Sequence, residues 1–152
     1  MSDLKSKLQK LGLSLPAPPK PAGAYLPLRK SGEFLFLSGQ LSKDEQGKVR
    51  TGKVGKELTV EEGKRAARQA LVQALSLLDS HVGLEKVDQV LRLVGYVQSA
   101  DNFYGQSEVL NGASELLVEI LGEKGRHART AIGVANLPLN AAVELELTVR
   151  IQ

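Results

Sequence analysis

Two stretches near the end of the chain, RHARTAIGVANLP at residues 126–138 and VELELTV at residues 143–149, decide the predicted fold. Apolar and polar residues alternate in the second stretch, which is typical of a strand with one buried and one polar face. We interpret the two stretches as neighbouring strands joined by a Leu137-Pro138 turn. Arg129 begins the first strand and Glu144 lies on the polar face of the second, so the pair could bind a small carboxylate and position a water molecule.

The composition is that of one folded domain, and it excludes several kinds of site. The 152 residues are 42% hydrophobic, which is enough for a core. No apolar run reaches the roughly 18 residues that a membrane span needs. No apolar signal-peptide segment follows the N-terminus. The chain contains no cysteine, which excludes disulfides, thiolate catalysis and Cys-ligated zinc and fits a cytoplasmic location.

The remaining chemistry is limited by the shortage of histidine and aromatic residues. His81 and His127 are the two histidines, too few for a His-rich metal site, so no metal is expected. We expect His81 to lie at a helix end and His127 in a turn, rather than to act as catalytic bases. Aromatic residues make up 4% of the chain, which argues against a base-stacking platform for nucleic acid. The basic N-terminal portion reads better as a solvated helix face and loop than as a nucleic-acid arm.

Residues 1–20 are expected to lie outside the main domain. Leu4, Leu8 and Leu11 recur at helical spacing and predict a short amphipathic helix. Prolines at positions 16, 18, 19 and 21 exclude helix and predict a stiff, extended connector. The main domain then spans residues 21–152.

The main domain begins with a predicted β-hairpin and a long helix. Tyr25–Arg29 and Glu33–Gly39 form the hairpin around a turn at residues 30–32. The continuous apolar run at residues 34–37 predicts that both faces of its strand are covered. Thr59 followed by Glu62 is a capping box, so a long helix begins there.

The second half of the main domain is predicted to contain a second helix with strands before and after it. Val87–Gln98 is rich in β-branched residues and is expected to be a central strand. Ser99–Asn102 supplies a turn and the cap of the second helix. The order of elements along the chain, β-β-(β)-α-β-α-β-β, predicts an α+β fold, with a mixed β-sheet and two long helices on one face. Something must cover the other face, and a small barrel shared with other subunits would do so.

Motifs for ATP binding, dinucleotide binding, zinc proteolysis and a nucleophile elbow are absent. Arg129 is therefore the strongest candidate, because a guanidinium at the start of a strand can bind a carboxylate in bidentate fashion. The residues alone equally allow a structural ion pair with Glu144 or Glu146. Without a partner, these two glutamates are solvent-facing strand residues.

Several stretches together resemble the RidA family, also called YjgF and formerly endoribonuclease L-PSP. They are Gly23-Ala24-Tyr25, residues 36–40, Asn111, Ala128-Arg129-Thr130 running to Leu137-Pro138, and Glu144-Leu145-Glu146. The resemblance covers roughly residues 20–152, in the correct order, and is most specific at the C-terminal end. The N-terminal helix and connector look like those of a longer subgroup.

The resemblance implies a chorismate-mutase-like fold, a homotrimer with a central barrel, and a ligand cleft between each pair of subunits. It implies hydrolysis of small 2-imino or enamine acids to 2-oxo acids and ammonia, without a cofactor. Arg129 would hold the substrate carboxylate and Glu144 would position the water. Tyr25, Ser38 and Asn111 would line the pocket, and the backbone around Ala131 would add hydrogen bonds.

Three departures from the family pattern leave the substrate open. Gly-Pro-Tyr becomes Gly-Ala-Tyr at residues 23–25, His127 stands where proline is common, and residues 99–110 look longer than in the family core. A module that binds a small carboxylate without turnover is an alternative. A ribonuclease or RNA-binding role is a third, although the few aromatic residues and the lack of a histidine pair argue against it.

Overall fold

The computed structural model describes residues 3–152 of the chain, which contain three helices and six strands. The elements are α1 (Asp3–Lys10), β1 (Leu28–Ser31), β2 (Phe34–Leu37), β3 (Gln40–Leu41), α2 (Val60–His81), β4 (Val87–Gln98), α3 (Gln106–Leu121), β5 (Ala128–Val134) and β6 (Val143–Ile151). Short 3-10 helices lie at Leu84–Lys86, Gly122–Gly125 and Pro138–Asn140. After α1, this order confirms the predicted α+β fold.

The strands form one mixed sheet in the order β1-β2-β6-β4-β5, and β3 also pairs with β6. Strand β4 is central, as predicted, and runs parallel to β5 and antiparallel to β6. The prediction that β5 and β6 are neighbours joined by a turn is wrong, because β4 lies between them. Gln98, at the end of β4, binds the segment that connects β5 to β6. Its Oε1 accepts from the Leu137 N–H at 2.7 Å and its Nε2 donates to Asn140 Oδ1 at 2.8 Å.

The two long helices cover one face of the sheet, as predicted. Every second residue of β6, from Val143 to Ile151, is buried, and the residues between them are half-buried. Strand β2 alternates in the same way, so the prediction that both its faces are covered is wrong for the single chain. Its Phe34 and Phe36 are 37% and 49% exposed on the face away from the helices. This is the sheet face that the sequence analysis expects other subunits to cover.

Helix α2 is buried on its outer side as well, because the N-terminal segment crosses it. The Ser76 hydroxyl donates to the Pro16 carbonyl at 2.6 Å, and Leu8 of α1 is buried in the core. The predicted capping box begins the helix: Thr59 N–H donates to Glu62 Oε2 at 2.7 Å, and Glu62 N–H donates to Thr59 Oγ1 at 3.2 Å. The division of the chain at residue 20 stays a prediction.

Two predicted turns lie elsewhere in the structure. The hairpin pairs Ser31 with Phe34, so its turn falls at residues 32–33 rather than 30–32. Helix α3 begins at Gln106 after Gly105, so the predicted cap at residues 99–102 is wrong. The Ser99 hydroxyl instead donates to the Val97 carbonyl at 2.8 Å and accepts from the side-chain Nε2 of Gln106 at 3.3 Å. No helix within residues 3–152 is long and apolar enough to cross a membrane.

Gly112 allows α2 and α3 to pack closely, and its replacement by alanine tests that contact. A Cβ there would collide with the backbone carbonyl of Lys64. Intrinsic helix propensity favours alanine over glycine by up to about 1 kcal/mol. We expect Gly112→Ala to lower the free energy of unfolding by about 1–3 kcal/mol, because the helix backbones must move apart.

Chemical denaturation measures this change, with Glu119→Ala on the exposed side of α3 as the control. The control should stay within about 0.5 kcal/mol of the wild type. A stabilised Gly112→Ala variant would contradict the close approach of the two helices.

Candidate functional site

The strand pairing places Arg129 and Glu144 on opposite faces of the sheet. Arg129 pairs with Leu93, whose side chain is buried under the helices, whereas Glu144 pairs with Tyr96 on the open face. Leu93 and Tyr96 are three residues apart, or about 10 Å along the strand. A small ligand cannot contact both side chains within one chain. The interpretation of the two as one site on adjacent strands is therefore wrong for the single chain.

Arg129 lies against one face of α3, where polar side chains recur at positions 107, 111 and 114. Its Nη1 donates to Asn111 Oδ1 at 2.9 Å and to Ser114 Oγ at 3.1 Å. Its Nη2 donates to Ser107 Oγ at 2.7 Å and to the Ser107 carbonyl at 3.2 Å. Within residues 3–152 no carboxylate pairs with Arg129, so the alternative of an ion pair with Glu144 or Glu146 does not occur.

The two edges of the guanidinium differ in how firmly they are held. The contacts with Asn111 and Ser114 are half-buried, whereas those with Ser107 are exposed to solvent. The Nε–H makes no hydrogen bond in the part of the chain that the structure describes. A ligand carboxylate could therefore bind Nε and Nη2 by displacing Ser107, while Asn111 and Ser114 remain in place.

Ala131 lies two residues beyond Arg129 on the same face of β5 and packs against the core. Strand β5 is the edge strand on its side of the sheet. An edge strand presents backbone N–H and C=O groups that no neighbouring strand uses. The backbone around Ala131 is thus placed to add hydrogen bonds to a ligand beside Arg129.

The other predicted residues line a separate cleft of about 300 Å³ around Glu144. Tyr25 and Ser38 form its walls with Glu144. The Ser38 hydroxyl donates to the Leu26 carbonyl at 2.6 Å. The Tyr25 hydroxyl oxygen accepts from the Ala22 N–H at 3.3 Å, so its own proton can be donated to a ligand. The structure thus brings together three predicted residues here and three at Arg129.

The electrostatic setting distinguishes Glu144 from Glu146. Burial raises the pKa of the Glu144 carboxyl, and the nearby Glu146 carboxylate raises it further. Glu146 accepts a hydrogen bond from the Tyr96 hydroxyl at 2.9 Å, and this bond raises the pKa of Tyr96. Glu144 accepts no hydrogen bond from any residue in the range 3–152, so both of its oxygens are available to a water molecule.

Sequence reasoning missed several residues that shape the Glu144 cleft. A side chain at Gly39 would collide with the Glu144 carboxylate in its present position and would force it to move, so glycine leaves room for the carboxylate here. Leu139 lines the cleft with a φ of 56°, a left-handed conformation that is unusual for leucine and marks a constrained position. Residues 19–22 of the proline-rich connector also line the cleft. The N-terminal extension therefore contributes to the candidate site.

A larger cleft of about 410 Å³ lies between the connector, residues 43–50 and α2. Arg50, Arg65 and Arg68 line it, and none of them pairs with a carboxylate among the described residues. It contains none of the predicted site residues. The smaller cleft around Glu144 is therefore the better candidate.

Residues 5–150 match the family model described as "YjgF/chorismate_mutase-like, putative endoribonuclease". The chain belongs to the YjgF family. A YjgF-family fold is also seen in the crystal structure of the Agrobacterium tumefaciens protein Atu1372, a protein of unknown function. It is 40% identical and superposes with a TM-score of 0.91 over 98% of this chain and 94% of that one.

Two curated relatives are informative about the YjgF family. Protein TCP17 of Trypanosoma cruzi is 45% identical over 148 residues, which cover 96% of this chain and 92% of the relative. The 2-iminobutanoate/2-iminopropanoate deaminase of Dermatophagoides farinae is 26% identical over 140 residues, 92% of this chain and 95% of the relative. The predicted family and fold are thus confirmed.

The raised pKa of Glu144 predicts how Glu144→Gln changes stability with pH. The folded protein holds the Glu144 proton more tightly than the unfolded chain does. The stabilisation is complete below the unfolded pKa of about 4.3 and is lost as the pH rises through the folded pKa. Because glutamine cannot ionise, the free energy of unfolding of Glu144→Gln relative to the wild type should rise from acidic to neutral pH.

Denaturation at a series of pH values measures this difference, and Glu57→Gln is a control of opposite sign. Hydrogen bonding from the Lys53 N–H lowers the pKa of Glu57. Its stabilisation is therefore present above the unfolded pKa, and Glu57→Gln should become less stable relative to the wild type as the pH rises. A Glu144→Gln difference that does not change with pH would contradict the burial of that carboxylate.

Proposed function

We propose that the protein hydrolyses small 2-imino acids, and the enamine acids that tautomerise to them, to 2-oxo acids and ammonia. The reaction takes place in clefts between the subunits of a homotrimer. One observation carries the proposal: among residues 3–152 no carboxylate pairs with Arg129 and no group donates a hydrogen bond to Glu144, and the two side chains lie on opposite faces of one sheet. Each is half of a site that a second chain can complete.

The open sheet face supports assembly with other copies of the chain. Phe34, Phe36 and Ile132 are exposed large apolar residues on it. Three sheets that close into a barrel would cover these side chains and remove apolar surface from water. In such a ring, the Arg129 group at the edge strand of one subunit meets the Glu144 cleft of the next subunit.

Each group has a role that suits its chemistry. The Arg129 guanidinium binds the substrate carboxylate, held in place by Asn111, and the Ala131 backbone adds hydrogen bonds. On the other side, the Glu144 carboxylate orients a water molecule towards the imine carbon, and Tyr25 and Ser38 line the wall beside it. The connector at residues 19–22 closes this side of the cleft and limits the size of the substrate.

The reaction requires no metal and no covalent intermediate with the protein. Water adds to the electrophilic imine carbon, and its oxygen forms a bond there while the C=N π electrons move to nitrogen. Glu144 takes a proton from the attacking water and a proton reaches the nitrogen, which gives a carbinolamine. A second transfer, from the carbinolamine hydroxyl to the nitrogen, lets the C–N bond break, so that ammonia leaves as the C=O bond of the 2-oxo acid forms. Burial raises the pKa of the Glu144 carboxyl, which makes it a stronger proton acceptor than an ordinary glutamate and suits it to accept and return protons in these steps.

The names of relatives point in two directions. The Dermatophagoides relative is named for deamination of 2-iminobutanoate and 2-iminopropanoate, and the family description names an endoribonuclease. His81 contacts the carbonyl of Leu77 in its own helix, and His127 contacts Ser114 and the Gly125 carbonyl. The two histidines therefore do not form an acid–base pair for RNA cleavage, and deamination is the better supported of the two.

Arg129→Ala and Glu144→Gln test the proposal directly. With 2-iminobutyrate generated in situ, the wild type should accelerate 2-oxobutyrate formation. Arg129→Ala should lose at least about tenfold in kcat/KM, because it removes a charged hydrogen bond to the substrate. Glu144→Gln should lower kcat by about 100-fold or more, because general acid–base catalysis is lost.

Arg126→Ala is the matched control, because this neighbouring arginine pairs with Glu123 on the surface and should retain full activity. Absence of acceleration by the wild type would overturn the enzymatic proposal. Calorimetry with 2-oxobutyrate, serine and threonine then decides whether the cleft is a metabolite-binding module. Activity on RNA that falls away during further purification would remove the ribonuclease alternative.

A further inference from the structure

His127 lies behind the Arg129 group and reaches it through one hydroxyl. Its Nε2 is 2.9 Å from Ser114 Oγ, and the same oxygen accepts from Arg129 Nη1 at 3.1 Å. Its Nδ1 is 2.6 Å from the Gly125 carbonyl oxygen. Both ring nitrogens are therefore hydrogen-bonded, and neither faces the Glu144 cleft.

The contact with Gly125 determines the direction of each hydrogen bond. A carbonyl oxygen can only accept, so Nδ1 carries the proton and Nε2 of the neutral ring is an acceptor. The Ser114 hydroxyl then donates to Nε2. Its oxygen lone pairs remain for the Arg129 N–H, so His127 fixes Ser114 as an acceptor for the guanidinium.

The backbone before His127 is pressed against α3, which sets the distance from the ring to Ser114. Gly125 is buried at the end of the Gly122–Gly125 turn. A Cβ at this position would collide with the Leu117 carbonyl of α3. The close approach therefore depends on glycine, and it places His127 within hydrogen-bonding distance of Ser114.

We propose that His127 is a positioning residue for Arg129. His127 orients the Ser114 hydroxyl so that its oxygen accepts from Arg129 Nη1. Asn111 Oδ1 accepts from the same nitrogen, so two acceptors fix the orientation of the guanidinium. The Nη2 edge and Nε–H then face the ligand carboxylate, which replaces Ser107. The inference rests on the proposed carboxylate-binding role of Arg129.

A double-mutant cycle tests whether His127 acts through Ser114. Calorimetry measures the affinity for 2-oxobutyrate in His127→Ala, Ser114→Ala and the double variant. Each single variant should bind about 3- to 10-fold more weakly, the effect of losing one hydrogen bond to a charged network. The double variant should be no weaker than Ser114→Ala, because the contribution of His127 is transmitted by that hydroxyl.

Two further variants distinguish positioning from a general structural effect. His127→Gln keeps an acceptor near the Nε2 position and should recover part of the affinity. His81→Ala changes the other histidine, at the end of α2, and should bind as the wild type does. In the imine assay His127→Ala should raise KM by the same factor as the dissociation constant and leave kcat within about twofold.

Nuclear magnetic resonance of the ligand-free protein tests the contact without relying on activity. A guanidinium held by fixed acceptors rotates slowly, so the wild type should show separate, slowly exchanging Arg129 Nη–H signals. These signals should broaden or merge in both His127→Ala and Ser114→Ala. If the wild type neither binds nor turns over the ligands, the proposed function fails and this measurement alone decides the role of His127.

Three outcomes would overturn the proposal. The first is wild-type affinity in His127→Ala together with unchanged Arg129 signals. The second is additive losses in the double variant, which would mean that His127 acts independently of Ser114. The third is a loss in His127→Gln equal to that in His127→Ala. If His127→Ala does not fold, Ser114→Ala and His127→Gln still provide the affinity and resonance comparisons.

Discussion

The position of β4 between β5 and β6 is the constraint on which the candidate site depends. Side chains of a strand alternate between the two faces of its sheet, and pairing carries that alternation to the neighbouring strands. Arg129 is thereby directed towards α3 and Glu144 towards the open face. The same sheet leaves apolar side chains uncovered on the Glu144 side. The separation of Arg129 from Glu144 and the uncovered apolar surface therefore have one structural origin, and the proposed assembly accounts for both.

Helix α3 gives the arginine its specific setting. Ser107, Asn111 and Ser114 are spaced by one and two turns, so they form a polar stripe on a helix whose opposite side is apolar. All three offer neutral acceptors, which orient the guanidinium without neutralising its charge. A carboxylate in their place would compete with the ligand. The setting of Glu144 differs from that of Arg129. Burial disfavours the charged form of its carboxyl, and the missing side chain of Gly39 leaves room for it.

The sequence predicted individual elements well because the signals for these are local. The Thr59–Glu62 capping box begins α2, and the alternation of residues 143–151 gives β6 its two faces. Strand order depends on long-range pairing, and periodicity does not reveal which strands are neighbours. The β4–α3–β5 order was itself a signal, since a helix that connects two strands is the usual crossover of a parallel pair. The site residues came from the family resemblance. The preference for Glu144 over Glu146 gained a physical basis only from the structure, in which the Tyr96 hydroxyl donates a hydrogen bond to Glu146 and not to Glu144.

Subunit complementation tests most directly whether the site is shared between chains. Arg129→Ala and Glu144→Gln subunits, each strongly impaired alone, are co-expressed with different tags, and mixed trimers are purified by both tags. If Arg129 of one subunit acts with Glu144 of the next, each mixed trimer contains one site in three with both native residues, so the purified mixed trimers should recover about a third of the wild-type deaminase activity. Mixed trimers that remain as inactive as either parent would contradict the account.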